Sequence, residues 1–414
     1  MDVRSQAEEC KKASRVLANA SKDIRSNALR LMAQELLAAK ESILEANRSD
    51  IERAKASSLS AKRIGILSIK ASDIDAMAKF FDTVSSYDDI VGTEVSHVEK
   101  EDGCVVSKRL VPLGVVFMIS EARPSVLCDT AALCLRSGNA LLYQGSVNCR
   151  KTDACIASAL MTALEKAGLP GAGVTLLSDT SHEAACEASR MDDLVDLVFV
   201  RGGYGALKDV KKNATVTVIG AGPGNCHVFV EKTADLEMAR DIVLNSKVPR
   251  PLACNAAETL LLDRGLEKDA QLMLLDALHD AGISLHADPE VMALRDYIIP
   301  ASEDDYRFEY FAPDMAVALV SSVEEAVDHI NRYRTPHTEV IVTESREAAE
   351  YFTVNVEANS VGVNSSTRLT DGMFFELGGE IGISTQKYPF GGPIGIRHLM
   401  QEKYFVFGKG TLRK

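Results

Sequence analysis

Cys254 stands in PRPLACNAAETLLLD, residues 249–263, between a basic turn stiffened by Pro249 and Pro251 and an apolar run of strand type. A cysteine does chemistry as its thiolate. At the ordinary thiol pKa near ~8.5 only about 3% is ionised at pH 7, and a fall to ~6.5 would raise that to roughly three-quarters. A fixed cation supplies such a shift, and Arg250 lies four residues before the sulfur. The combination suits nucleophilic attack on an activated carbonyl. The chain has nine cysteines in all. They are odd in number and lack paired spacing, so neither a disulfide framework nor a zinc site is expected. The others are expected to be free thiols that pack. Cys226 and His227 are adjacent, and adjacent strand residues point to opposite faces, so no metal site is expected there either.

A second kind of chemistry-bearing segment is LVDLVFVRGGYGALKDV, where an apolar run meets Arg201, Gly202 and Gly203 and then a helix pattern. Glycine lets the backbone approach a ligand, and the free amides of a helix start attract phosphate. The spacing is not a full G-x-G-x-x-G, and a bare strand-to-helix turn accounts for it equally well. In SGNALLYQGS, residues 137–146, another strand delivers Gln144, Gly145 and Ser146 to the same kind of edge. Ligands of open α/β sheets bind at that edge.

The elements that must position these groups read clearly. From Ala7 to about Asp89, apolar residues such as Leu29, Met32 and Leu36 recur at spacings of three and four, predicting successive amphipathic helices. HVEKEDGCVVSKRLVP alternates around a turn at Asp102 and Gly103 and predicts a hairpin. Strands VVFMIS, NALLYQ, VTLLS, LVDLVFV and TVTVIG then alternate with helices, the pattern of a doubly wound parallel sheet. A second such series is expected after Cys254, from ETLLLD through MAVALVS, EVIVTE and VGVNS, with a join near residues 225–235. The closing YFVFG predicts one more strand, partnering the hairpin or another subunit. A net charge of −13, from 46 basic and 59 acidic residues, disfavours nucleic acid. The N-terminus has no signal-peptide core and no apolar run reaches membrane-helix length, so a cytosolic protein away from membranes is expected.

Four segments together resemble the gamma-glutamyl phosphate reductases of the aldehyde dehydrogenase superfamily. They are VPLGVVFMISEARPSVLCDTAALCLRSGN, RGGYGALKDVKKNATVTVIGAGPGNCHVFVEKTADLEMA, RPLACNAAETLLL and VNSSTRLTDGMFFELGGEIGISTQK. The resemblance runs over essentially the whole chain. It implies an α/β, aldehyde dehydrogenase-like fold. A Rossmann-like cofactor domain with the N-terminal helices would cover 1–95 and 112–228, a second α/β catalytic domain 229–385, and an oligomerisation hairpin and strand 96–111 and 396–414. It implies reduction of L-glutamate 5-phosphate to L-glutamate 5-semialdehyde by NADPH, with NADH kept open, as the second step of proline biosynthesis. The implied partners are a small acyl phosphate, a functional association with glutamate 5-kinase, and further copies of the chain in a dimer or larger assembly. Two alternatives stay open: a reductase of another acyl phosphate, and a non-catalytic cofactor-binding paralogue.

Residue roles follow from the same resemblance. Cys254 falls on the nucleophile, passing through a thioester. Asn225, after the GPG turn, would position the site, and Arg123, in the turn of Ser120, Glu121 and Ala122, would bind the substrate's phosphate or carboxylate as a fork. Gln144, Gly145, Arg201, Gly202 and Gly203 fall on the cofactor side, with Glu309 and Phe311 at the nicotinamide ribose. Arg250 and the run Asn364, Ser365, Ser366, Thr367 and Arg368 fall at the substrate mouth. The chain departs from the family pattern at four places. Gly220 replaces the glutamate that opens the glycine turn, which disfavours thioester hydrolysis. Gln144 replaces an arginine, so the preference for a 2′-phosphate is inherited rather than read. Pro249 and Pro336 replace glutamine and glycine and leave substrate choice less defined.

Overall fold

Short polar side chains cap several of the helices that open the chain. In the computed structural model, which describes residues 1–121, 123–202 and 204–413, these helices are Val3–Asn19, Lys22–Ala38, Lys40–Ala56, Ala61–Leu67 and Ala71–Ser86. The side chains of Asp2 and Ser21 accept hydrogen bonds from the amides of Ser5 and Ile24, satisfying donors that a helix start leaves free. A hairpin follows, β1 (Glu94–Glu99) and β2 (Val105–Pro112), paired antiparallel. Gly203 and Ala122, singled out above, lie outside the described residues.

The chain divides into two compact units, one of residues 1–221, 376–382 and 394–414, the other of residues 222–375 and 383–393. The first unit holds a parallel sheet of β3 (Val115–Ser120), β4 (Ala140–Gln144), β5 (Val174–Leu176), β6 (Leu197–Arg201) and β7 (Val218–Ala221) in the order β5-β4-β3-β6-β7. Its strands are almost wholly buried runs such as VVFMIS and ALLYQ. That is what a sheet covered on both faces requires.

The second unit is built on a seven-stranded parallel sheet. Its strands are β8 (Cys226–Val230), β9 (Ala257–Asp263), β10 (Ser284–Ala287), β11 (Ile299–Pro300), β12 (Asp314–Val320), β13 (Thr338–Val342) and β14 (Ser360–Val363), in the order β11-β10-β12-β9-β8-β13-β14. One hydrophobic cluster, including Val228, Leu260, Leu262 and Val317, lies on one face. Another, with Phe229, Leu261, Ile341 and Phe352, lies on the other. The second series therefore begins with β8, ahead of Cys254 rather than after it, and β8 sits between β9 and β13 in mid-sheet. CHVFV has the same buried composition as the strands of the first sheet, and composition does not reveal which neighbours a strand will pair with.

A two-stranded piece, β15 (Ile383–Ser384) and β16 (Gly392–Pro393), also belongs to the second unit. The last strand, β17 (Met400–Phe407), pairs antiparallel along the whole of β2 from Met400 opposite Pro112 to Phe407 opposite Val105. The expected final strand thus partners the hairpin within its own chain. No helix among the described residues is long and apolar enough to cross a membrane.

Candidate active site

Seven of the nine thiols are buried, and only Cys155 and Cys254 are partly open to solvent. Burial pushes the Cys10 thiol up to about 12, holds that of Cys226 well above its usual range, and raises that of Cys155. These sulfurs are kept protonated by the cost of charge in a dry interior. Cys254 occupies a different setting, in the loop between helix Leu236–Lys247 and β9.

Three features of the second unit hold that loop. The GPG turn before β8 lies directly on it: a Cβ at Gly224 would stand 1.7 Å from the Cys254 carbonyl oxygen. Only glycine allows so close a backbone approach. Cys226 Sγ lies 3.5 Å from the same oxygen and donates to it. Behind the turn, Asn225 is fully buried; its amide donates to Thr335 Oγ1 at 2.8 Å, and its Nδ2 to the carbonyls of Tyr306 and Tyr333 at 2.8 and 3.0 Å. Both side-chain hydrogens are thereby used on backbone, so the geometry makes Asn225 an anchor of the turn.

The third feature is the segment after β14. Thr367 Oγ1 donates to the Asn255 carbonyl at 2.6 Å, Asn255 Nδ2 donates to the Thr370 carbonyl at 2.9 Å, and the Thr367 amide reaches Ser246 Oγ at 3.2 Å. Ser366 Oγ also meets Ser246 Oγ at 3.2 Å. This lacing brings Arg368 beside the sulfur. Burial lowers the Arg368 pKa, and Arg250 lowers it further, while Cys254, Asp371 and Cys226 act to keep it charged. Arg250 is exposed, and Ser365 is half-buried. Asn364, at φ 51°, accepts from the Thr343 amide and donates to the Thr343 carbonyl, both at 2.9 Å. Its side-chain amide is used on the residue that follows β13 rather than pointed at a substrate.

Glu309 and Phe311 are half-buried in the loop leading to β12. Phe311 holds φ 47°, a left-handed conformation that costs a bulky residue of order 1–3 kcal/mol and is kept only where the surroundings enforce it. His337 is fully buried, with Nδ1 2.8 Å from Thr338 Oγ1 and 3.6 Å from Cys226 Sγ. Burial holds its pKa at about 4, so it is neutral at pH 7.

The first unit has the kind of edge at which open α/β sheets bind ligands. From β3 the chain winds through β4 to β5 on one side, and from β6 to β7 on the other, so the strand order reverses between β3 and β6, where Ser120 pairs with Arg201. Such a reversal opens a crevice at the carboxyl ends of the strands. Arg201 Nη1 donates to the Ile381 carbonyl at 3.3 Å, and a Cβ at Gly202 would lie 3.3 Å from Glu121. Helix Tyr204–Asn213 starts just beyond. A bare Gly202 backbone and a helix start at the switch point fit the diphosphate of a dinucleotide.

Around this edge the other candidates differ. Gly145 has no room for a side chain, since its Cβ would meet Asp153 Oδ2 at 1.9 Å. Gln144 is buried, its Nε2 donating to the Ser181 carbonyl at 2.7 Å. It ties down the next loop instead of standing open at the rim. Arg123 is exposed and lines an open cavity of about 270 Å³ with Ile66, Ile69, Asp73, Met77 and Pro124. At Gly220 an added Cβ would come within 2.3 Å of Leu207 Cδ1, so the missing carboxylate has its space filled by leucine.

Four contributors escape a reading of residue types alone: Gly224, Asn255, Thr335, and a buried ion pair between Lys247 and Glu258 at 2.6 Å. Glu258 does carry a signal, being a carboxylate at the start of the apolar run AETLLLD.

Comparison with known proteins agrees with this architecture. The profile described as "Aldehyde dehydrogenase family" matches residues 2–291 and 299–404. A gamma-glutamyl phosphate reductase of Clostridium beijerinckii is 40% identical over 406 residues, covering 98% of each chain. One from Halalkalibacterium halodurans is 38% identical over 414 residues, covering all of both. The crystal structure of the gamma-glutamyl phosphate reductase of Thermotoga maritima superposes with a TM-score of 0.95 at 35% identity, again over all of both chains. With relatives this similar over the full length, and the same fold, the chain belongs to the aldehyde dehydrogenase family, in its gamma-glutamyl phosphate reductase group.

Proposed function

We propose that this protein reduces L-glutamate 5-phosphate to L-glutamate 5-semialdehyde with release of phosphate, the second step of proline biosynthesis, using NADPH. The observation that carries the reading is the setting of Cys254. It is a partly open thiol on a backbone clamped by Gly224, with Arg368 in Coulombic reach, in a chain whose full-length relatives bear that reductase's name. The coupling between Arg368 and Cys254 runs both ways: as the thiolate favours the guanidinium, the guanidinium favours the thiolate.

The Cys254 thiolate attacks the acyl carbon, the C–O bond to phosphate breaks, and phosphate leaves with its electron pair, leaving a thioester on sulfur. Arg250 and Arg368 are the cations assigned to the substrate's phosphate and carboxylate, which a guanidinium binds as a fork; the resemblance gives Arg123 a like role. Ser365, Ser366 and Asn364 are placed in that mouth by resemblance, and the geometry supports a framing role for Asn364. When bound, a dihydronicotinamide supplies the hydride that brings the thioester to the aldehyde level, and Cys254 departs as thiolate. Arg201, Gly202 and the helix after them are assigned the diphosphate, and Glu309 and Phe311 the nicotinamide ribose. Gly220 leaves the glycine turn without a carboxylate to activate water, so the thioester is protected from hydrolysis. The first unit is thus assigned the cofactor's diphosphate, the second the covalent chemistry, and the sheet of β1, β2 and β17 the contact between copies. An acyl phosphate is labile in water, which suits supply by an associated glutamate 5-kinase.

The reverse reaction tests the reading. Purified protein given glutamate 5-semialdehyde and NADP should form NADPH only when phosphate is present, and Cys254→Ala should lose at least ~10³-fold of that rate while melting normally. Turnover that survives the substitution refutes the mechanism, and a faster reaction with another acyl phosphate reassigns the substrate. Running NAD in parallel settles the nicotinamide preference that Gln144 leaves open.

A further inference from the structure

Lys247 and Glu258 form an ion pair in a fully buried part of the second unit, Nζ to Oε2 2.6 Å, with essentially no exposure of either side chain. Lys247 is the last residue of helix Leu236–Lys247, and Glu258 is the second residue of β9. The pair therefore closes the base of the loop that carries Cys254. The other carboxylate oxygen, Oε1, is buried without a hydrogen bond of ordinary geometry; burial pushes the Glu258 carboxyl up to about 7, while Lys247 and, more weakly, the backbone amides of Tyr310 and Phe311 act to keep it charged. Those amides belong to the turn in which Phe311 is held at φ 47°.

A dry ion pair adds little to stability, because desolvating both charges offsets their attraction. A left-handed phenylalanine subtracts from it. Two unfavourable features facing one another call for a common purpose, and the Glu258 carboxylate meets both. Rotating the Phe311 peptide out of this conformation would turn its amide from the carboxylate and swing Glu309 and the Phe311 ring with it.

We infer that Lys247 and Glu258 are positioning residues for the reaction, fixing the Glu309–Phe311 turn on the same buried carboxylate that closes the nucleophile loop. The inference rests on the proposed function, which gives that turn its ligand, a nicotinamide ribose.

The experiment measures NADPH binding by fluorescence in wild type, in the double variant Lys247→Met with Glu258→Leu, and in Glu258→Asp. The double variant replaces the pair with apolar groups of similar size, a change that is often neutral or stabilising. Its dissociation constant for NADPH should rise at least tenfold, while KM for phosphate in the reverse assay stays within twofold, a split that general loosening would not give. Glu258→Asp keeps both charges but withdraws the carboxylate by one methylene, and should weaken NADPH at least threefold; it carries the test if the double variant does not fold. Unchanged NADPH affinity in a folded variant overturns this inference alone. A wild type that binds no nicotinamide overturns the proposed function, and this inference with it.

Discussion

Gly224 and Cys254 are in backbone contact across the second unit: the position of a Cβ on Gly224 is 1.7 Å from the Cys254 carbonyl oxygen and 3.3 Å from its Cα. These atoms belong to main chain, so no side-chain rotation can relieve an overlap. Gly224→Ala must displace the nucleophile loop. A displacement near 1 Å is enough to cost about 10²-fold in turnover. The expected result is a kcat lowered by that order with far-ultraviolet circular dichroism unchanged, measured beside Cys254→Ala as the floor.

Arg368 is the half-buried cation coupled to the sulfur. Replacing it by methionine removes the charge and keeps much of the stem. The thiolate fraction of Cys254 should fall, and with it the rate of alkylation by iodoacetamide at pH 7, by about tenfold for one lost neighbouring charge. The difference from wild type should vanish at high pH, where the thiol ionises unaided. Mass spectrometry of the labelled peptide separates Cys254 from Cys155. An alkylation rate equal to wild type at pH 7 would remove Arg368 from the activation of sulfur.

Gly220 offers a third test. Installing the family's glutamate brings its Cβ within 2.3 Å of Leu207 Cδ1, so the leucine must rotate or the strand must shift. Overpacking of this kind costs about 1–3 kcal/mol. Urea unfolding of Gly220→Glu should show that loss, and Leu207→Ala in the same background should recover part of it. No loss in the single variant would mean that Leu207 yields freely.

His337 predicts an acid dependence of stability. Its pKa is about 4 in the fold and ordinarily near ~6.5, so between these values the unfolded chain binds a proton that the folded one refuses. This residue therefore supports stability above pH ~6.5 and withdraws it as pH falls, by about 1.4 kcal/mol per pH unit until about 4. In His337→Gln that contribution is absent. The difference in unfolding free energy between wild type and variant should thus shift by about that slope between pH 6 and 4.5, and a constant difference would show that the imidazole is protonated in the fold.

Much of the fold could be read from residues such as Val115–Ser120, because a strand buried on both faces is a continuous apolar run whatever it pairs with. The membership of β8 could not. CHVFV reads as a strand, but its seat between β9 and β13 is decided by partners 31 residues later and more, such as Glu339 opposite His227. The same distinction runs through the site. Cys254 drew attention through its immediate neighbours Pro249, Arg250 and Pro251, a local signal. Gln144 and Asn225 sit where sequence put them along the chain, yet their side chains are claimed by carbonyls far away, Ser181 for one and Tyr306 and Tyr333 for the other. Alternation says which face a residue takes and nothing of which distant loop will fold over it.

The order of segments in the two units has a bearing on synthesis. Residues 222–375 supply nearly all of the second unit as one uninterrupted stretch, whereas the first needs residues 376–382 and 394–414 in addition to 1–221. On a ribosome the strand β17 emerges after all of the second unit, so its long antiparallel seam with β2 can form only once that unit has been made. The nascent chain must therefore carry an unfinished first unit, with one edge of β2 uncapped, through the making of the whole second unit. A stop codon just before Met400 would leave that edge permanently bare, the kind of unpaired strand that recruits other chains into aggregates.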